Sequence, residues 1–137
     1  MTDILLSTLN ARYSHASLGL RYLRANLGGL RDRSEIVEFV IGQKTEEIVE
    51  KILARGPRVL GLGVYIWNAQ ASLRVAQALR AARRDLVIVL GGPEVSYETD
   101  EQEICRLADY VCTGEADRSF AGLCRALLAG ERPAERI

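Results

Sequence analysis

Residues 59–66 read Val-Leu-Gly-Leu-Gly-Val-Tyr-Ile, a nearly unbroken apolar run closed by Trp67 and Asn68. A strand with one wet face alternates apolar and polar residues, whereas a continuous run marks a strand covered on both faces, as at the centre of a parallel sheet. Upstream, Ile48, Val49, Ile52 and Leu53 repeat with helical spacing and Gly56-Pro57 closes the pattern. Downstream, Asn68 reads as the N-cap of a helix carrying Leu73, Ala76 and Leu79. The unit is therefore helix, buried strand, helix.

The same alternation extends to both ends. Asp3 to Leu9 is a first strand, followed by a helix with Leu20, Leu23 and Leu27 on one face and Gly28-Gly29 as its stop. Glu35 to Ile41 is a second strand. Leu86 to Leu90 is a fourth, ending in Gly91-Gly92-Pro93. Thr99 and Gln102 have capping-box spacing ahead of a short helix with Ile104 and Leu107. Tyr110 to Thr113 is the fifth strand, and Asp117 caps a last helix whose inner face is Phe120, Leu123, Cys124 and Leu127. Five strands alternating with five helices need crossover connections, hence a parallel sheet with helices on both faces. Right-handed crossovers favour the order 2-1-3-4-5, a flavodoxin-like three-layer α/β sandwich. Residues 1–130 form one domain; residues 131–137 read as a tail or the start of a linker.

Composition fits one globular domain. Of 137 residues, 48% are hydrophobic and only 6% aromatic, so Leu, Ile, Val and Ala must build the core. The 18 basic and 18 acidic residues cancel, which offers no basic surface for nucleic acid. Arg80, Arg83 and Arg84 cluster at a helix end, where the dipole favours cations over any need for a phosphate partner. Cys105, Cys112 and Cys124 are too few and too scattered for a zinc or iron–sulfur motif, and read as reduced, buried thiols. No signal peptide and no apolar run of membrane-spanning length is present, so a cytoplasmic protein without a membrane span is expected.

In an open parallel sheet the ligand edge lies beyond the carboxyl ends of the strands, near the switch between strands 1 and 3. Four loops leave that edge. The first, Asn10-Ala11-Arg12-Tyr13-Ser14-His15-Ala16-Ser17, is long and polar. The second, Tyr65-Ile66-Trp67-Asn68, holds the only tryptophan, suited to an aromatic wall beside a flat ligand. In the third, Gly91-Gly92-Pro93-Glu94, paired glycines let backbone approach a ligand. The fourth is Thr113-Gly114-Glu115-Ala116-Asp117.

Other chemistries fail on their own patterns. Gly61-Leu62-Gly63 starts like a dinucleotide fingerprint, but the sixth position is Ile66 and the glycines lie inside the strand, where they permit close packing. No P-loop lysine follows a glycine-rich turn. A receiver domain needs an aspartate at the end of strand 3, where Tyr65, Ile66 and Trp67 stand. Ser7 and Thr8 only gesture at a flavin phosphate loop. The single histidine has no nucleophile to serve, so catalysis by this chain alone is not expected.

Leu9 to His15, Tyr65 to Asn68, Leu90 to Val95 and Gly114 to Asp117 together resemble the N-terminal cobalamin-binding domain of B12-dependent radical SAM proteins, a class that includes enzymes similar to magnesium-protoporphyrin monomethyl ester oxidative cyclases. The resemblance spans nearly the whole chain. It implies cobalamin across the carboxyl-end edge, with its nucleotide tail in a cleft beside the sheet. It makes Asn10, Arg12, Tyr13, Ser14, His15, Ser17, Tyr65, Trp67, Asn68, Gly91, Gly92, Pro93, Glu94, Thr113, Gly114 and Glu115 the candidate cofactor-binding residues.

In the resembled class a radical SAM domain follows, binding S-adenosylmethionine and a 4Fe-4S cluster through CxxxCxxC. That motif is absent here, so the chain reads as one module of a longer enzyme. One departure concerns the metal. A DxHxxG motif supplies a cobalt ligand in many B12 domains, but His15 and Gly19 are four apart and Tyr13 replaces the aspartate. His15 is therefore not assigned to cobalt; Tyr13, Tyr65 and Trp67 are expected to shield the lower corrin face instead. Two other readings stay open: an interaction module of the same fold that has lost the cofactor, for which a corrin-free homodimer is expected, and a nucleotide or flavin binder.

Overall fold

The computed structural model describes residues 2–11, 17–65, 67–92, 102–112 and 117–133. Its strands are β1 (Ile4–Asn10), β2 (Ser34–Val40), β3 (Val59–Gly63), β4 (Val87–Gly91) and β5 (Tyr110–Val111). They form one sheet in the order β2-β1-β3-β4-β5, and every neighbouring pair is parallel. The helices are α1 (Leu18–Ala25), α2 (Thr45–Ala54), α3 (Ala69–Ala82), α4 (Glu103–Leu107) and α5 (Asp117–Leu128), with a 3-10 helix at Gly28–Arg33. This is the flavodoxin-like topology expected from the alternation.

The sheet separates two apolar cores, and the two-residue period of each strand decides which side chain enters which. Leu5, Leu9, Leu60, Leu62, Ile88 and Leu90 face α2, α3 and α4, against Ile48, Ile52, Val75 and Leu79. Ile4, Leu6, Val59, Val87, Val89 and Tyr110 face α1 and α5, against Leu20, Phe120, Leu123 and Leu127. The three cysteines are buried.

On the α1/α5 side, the next residues up β3 and β4 are Gly61, Gly63 and Gly91. Phe120 occupies the space that a side chain at position 61 would need. A Cβ on Gly61 would stand 2.9 Å from Leu6 Cδ2 and 3.1 Å from Phe120 Cζ. Gly61→Ala is expected to destabilise the fold by about 1–3 kcal/mol, the usual range for overpacking, read as a lower urea midpoint at unchanged slope.

Several boundaries differ from the sequence reading. The first helix ends at Ala25, before Gly28-Gly29, because Asn26 Nδ2 donates to the Tyr22 carbonyl (2.8 Å) and closes the turn. Gly28, at φ 60°, instead opens the 3-10 helix. Strand β3 stops at Gly63 rather than Ile66. Val64 N still donates to Gly91 O (2.8 Å), but Tyr65 N donates to Asn68 Oδ1 (2.8 Å), which ends the ladder. The short α4 takes Gln102 as its N-cap residue with no side-chain capping bond, and Thr99 lies outside the described residues.

Two arginines of the cluster are engaged by the fold itself. Arg80 donates to the carbonyls of Leu107 and Leu86 and pairs with Asp109 at 2.8 Å. Arg83 donates to Pro57 O and pairs with Asp85. Among the described residues, no helix is long and apolar enough to cross a membrane.

Candidate functional site

The carboxyl ends of β1 and β3 are tied together by one side chain. Asn68 stands at the N-cap position of α3 but makes no capping bond; it is fully buried and turned into the sheet edge. Its Nδ2 donates to Leu9 O (3.0 Å), Thr8 Oγ1 (3.2 Å) and Gly63 O (3.3 Å). Its Oδ1 accepts from Tyr65 N and from Ser72 Oγ. Thr8 completes the bracket by donating to Gly63 O at 2.8 Å. With these polar atoms engaged, Asn68 holds the ends of β1 and β3 together. Ser7, which donates to Val37 O, and Thr8 are both buried in β1, so neither belongs to a phosphate loop.

The bracket sets the loop that carries Tyr65 and Trp67. Their rings stack in parallel, with centroids 4.7 Å apart and planes 3° from coplanar. Trp67 Nε1 donates to Leu9 O at 3.2 Å, which fixes the indole while 49% of the residue stays exposed. A large apolar ring is thus held open to solvent at the carboxyl-end edge of the sheet.

On the α1/α5 side of this stack lies a cleft of about 370 Å³, within the range that accommodates small-molecule groups. Gly61, Gly63, Gly91 and Gly92 all line it, between Gly19 of α1 and Phe120 of α5. A Cβ on Gly91 would meet only Cys112 O, at 4.0 Å, and so open space. Gly92, at φ 108°, lies so close to β3 that a Cβ would run into the Val64 carbonyl oxygen. Cys112 also lines the cleft; burial pushes its thiol up to about 11, which keeps it protonated and unreactive.

The first loop is held at its base by a residue that the sequence reading overlooked. Glu38 of β2 accepts from Asn10 Nδ2 (3.0 Å) and Ser17 N (2.6 Å) on one oxygen, and from Arg21 Nη2 (3.0 Å) on the other. Ser17 also caps α1, its hydroxyl accepting from Leu20 N. Burial pushes the Glu38 carboxyl up, but the bonds from Asn10, Ser17 and Arg21 outweigh it and hold the group below its ordinary value of 4.5. A folded value below the unfolded one stabilises the protein above pH 4.5 and is lost as pH falls through the folded value. Wild type is therefore expected to lose more stability than Glu38→Gln between about pH 5 and pH 3. Parallel urea-midpoint curves for the two proteins would remove Glu38 from this role.

Of the sixteen candidate residues, the structure places seven at one edge: Asn10, Ser17, Tyr65, Trp67, Asn68, Gly91 and Gly92. Arg12, Tyr13, Ser14, His15, Pro93, Glu94, Thr113, Gly114 and Glu115 lie outside the described residues. Among the described residues no three His, Cys, Asp or Glu converge as a metal-binding group would.

The protein is an open parallel α/β sheet with a glycine-lined cleft and an aromatic ridge at its switch point, the class of fold that takes ligands at this edge. The chain belongs to the B12 binding domain family, which its sequence matches over residues 5–124. A cobalamin-binding protein from Desulfitobacterium hafniense DCB-2 has a similar structure (TM-score 0.63, 24% identity, 90% of this chain and 57% of that one). So does the cobalamin-dependent S-adenosylmethionine radical enzyme OxsB, solved with aqua-cobalamin bound (TM-score 0.73, 16% identity, 96% of this chain and 19% of that one).

The chain thus spans little more than half of the first relative and about a fifth of the second. The receiver domain of RcsB from Salmonella enterica serovar Typhimurium shares the fold (TM-score 0.62, 9% identity, 97% of this chain and 93% of that one). At identities this low the likenesses establish fold alone. No curated protein sequence matches the chain.

Proposed function

We propose that this domain holds cobalamin for a larger radical SAM enzyme, with the corrin over the Tyr65–Trp67 stack and the nucleotide tail in the cleft between α1 and α5. The observation that carries the reading is the cleft itself. Gly61, Gly63 and Gly91 all line it on one face, and at Gly91, where β4 ends, the space a side chain would take is open, which leaves room for a flat ligand's appendage to descend beside the ridge. The residues present fit the group: glycine backbone for the tail, apolar Leu20, Leu23 and Phe120 for an aromatic base, and an exposed stack for a wide disc. Bound cobalamin supplies methyl-transfer or radical chemistry. The chain's own work is to bind it, orient it and keep water from its lower face. Arg12, Tyr13, Ser14, His15, Pro93, Glu94, Thr113, Gly114 and Glu115 are proposed to complete the rim.

Titration with hydroxocobalamin, followed by visible spectrum and dialysis, tests the reading. Saturable binding with a dissociation constant below about 10 µM, roughly 7 kcal/mol of binding free energy, is expected. No spectral change and no retained corrin at that concentration would overturn it. The link to a radical SAM domain is checked separately, by whether the reading frame that encodes the chain also encodes CxxxCxxC.

A further inference from the structure

A second cleft, of about 340 Å³, opens on the opposite side of the aromatic ridge, between the N-terminal ends of α2 and α3. Tyr65 lines the first cleft and Trp67 the second, so the stacked pair is the wall between them. The second cleft is polar where the first is glycine and hydrocarbon. Its upper lining includes Gln43, Thr45, Trp67, Gln70 and Arg74, above a floor that includes Leu9.

Three of these polar groups are free to serve a ligand. Among the described residues Thr45, Gln70 and Arg74 make no side-chain hydrogen bond or ion pair. Gln43 uses its Oε1 to accept from Val40 N (2.8 Å), which leaves its Nε2 as a donor. Side chains on a helix lean toward its N-terminus, so Arg74, in the second turn of α3, reaches back toward the ligand edge.

The chemistry of this donor set selects a class of ligand. Glu46 and Glu47 occupy the first turn of α2 beside Thr45, and two carboxylates there oppose a phosphate or another polyanion. A neutral group that both accepts and donates suits the set better. A primary carboxamide does so: its oxygen accepts from the guanidinium, and its NH2 donates to a glutamine or threonine oxygen.

Building on the cobalamin reading above, we propose that this second cleft binds carboxamide arms of the corrin rim. A disc lying over the Tyr65–Trp67 ridge overhangs both clefts. The tail descends on one side and rim amides are held on the other, which fixes the rotation of the ring about the ridge.

Cobinamide keeps the rim amides but lacks the nucleotide tail, and so separates the two clefts. Dissociation constants for cobalamin and cobinamide are measured by visible titration with wild type, with Arg74→Ala/Gln70→Ala and with Arg74→Lys/Gln70→Ala. The double alanine variant is expected to bind both corrinoids about tenfold more weakly, by the same factor, with lysine restoring part of the loss. Because both side chains are on an exposed helix face, its thermal midpoint is expected to match wild type.

Unchanged affinity for both corrinoids, in a protein that does bind cobalamin, overturns the inference and leaves the cobalamin reading intact. A loss for cobalamin alone also overturns it, since the cleft would then serve the tail. So does a thermal shift with inorganic phosphate that the alanine variant abolishes, which would make this an anion site. Failure of wild type to bind either corrinoid overturns the inference together with the reading beneath it.

Discussion

Asn68→Ala is expected to cost about 3–5 kcal/mol of stability, because it strands several buried groups at once. The Tyr65 amide and the Ser72 hydroxyl lose the partner that Asn68 provides at 2.8 and 3.2 Å, and the Leu9 carbonyl loses its bond at 3.0 Å and keeps only that from Trp67 Nε1. An unpaired buried polar group costs roughly 1–3 kcal/mol, and no apolar substitute of similar shape satisfies an amide and a carbonyl together. Thr8 and Gly63 keep their own bond and soften the loss.

For a chain of 137 residues the thermal midpoint should fall by about 10–20 °C. Asn68→Asp is expected to be no better at neutral pH. It retains the acceptor for Tyr65 N but turns a second oxygen toward the carbonyls of Leu9 and Gly63. Circular-dichroism melts decide the matter. A loss under about 1 kcal/mol would mean that Asn68 is not what joins β1 to β3 at this edge.

Gly91→Leu is expected to close the first cleft without harming the fold. Strand alternation puts position 91 on the same side as Val89, and a Cβ there meets only Cys112 O at 4.0 Å, so the new side chain has room and enters the cleft. Cobalamin affinity should fall by at least tenfold and as much as about a hundredfold, or roughly 1.4–2.7 kcal/mol, while cobinamide affinity stays within about twofold. The thermal midpoint should move little, since the leucine fills a hollow rather than displacing packed atoms. Equal loss for both ligands would place the tail elsewhere. No loss for either would show that the hollow is not used.

The fold was readable from the sequence because buried parallel strands leave a strong signature. Val59–Gly63 and Val87–Leu90 are apolar throughout, and the helix between them shows its inner face at helical spacing. The ends of elements were less readable, since they depend on hydrogen bonds between distant residues. Nothing local to residues 64–66 says that Asn68 will take the Tyr65 amide and end β3.

The site was legible as an edge and as residue types. Trp67 and the Gly91-Gly92 turn stand at the carboxyl-end edge of the sheet, where the strand pattern puts them. The cleft was not legible: Gly61 and Gly63 are the packing glycines they read as, and the open space lies at Gly91, which only the register of β3 and β4 sets beside Gly63. Glu38 was missed for a similar reason. An acidic residue between Val37 and Phe39 looks like an ordinary exposed position of an edge strand. Only the parallel register, which sets Glu38 beside Thr8, brings it within reach of both Asn10 and Ser17.

That arrangement at Glu38 has a practical consequence for redesign. A single carboxylate oxygen receives both stems of the first connection, so the distance between the stems is set by the sheet and not by what joins them. The stretch between Asn10 and Ser17 can accordingly be treated as an interchangeable cassette. Segments of different length are expected to be exchangeable there at a closure cost that rises only slowly with size.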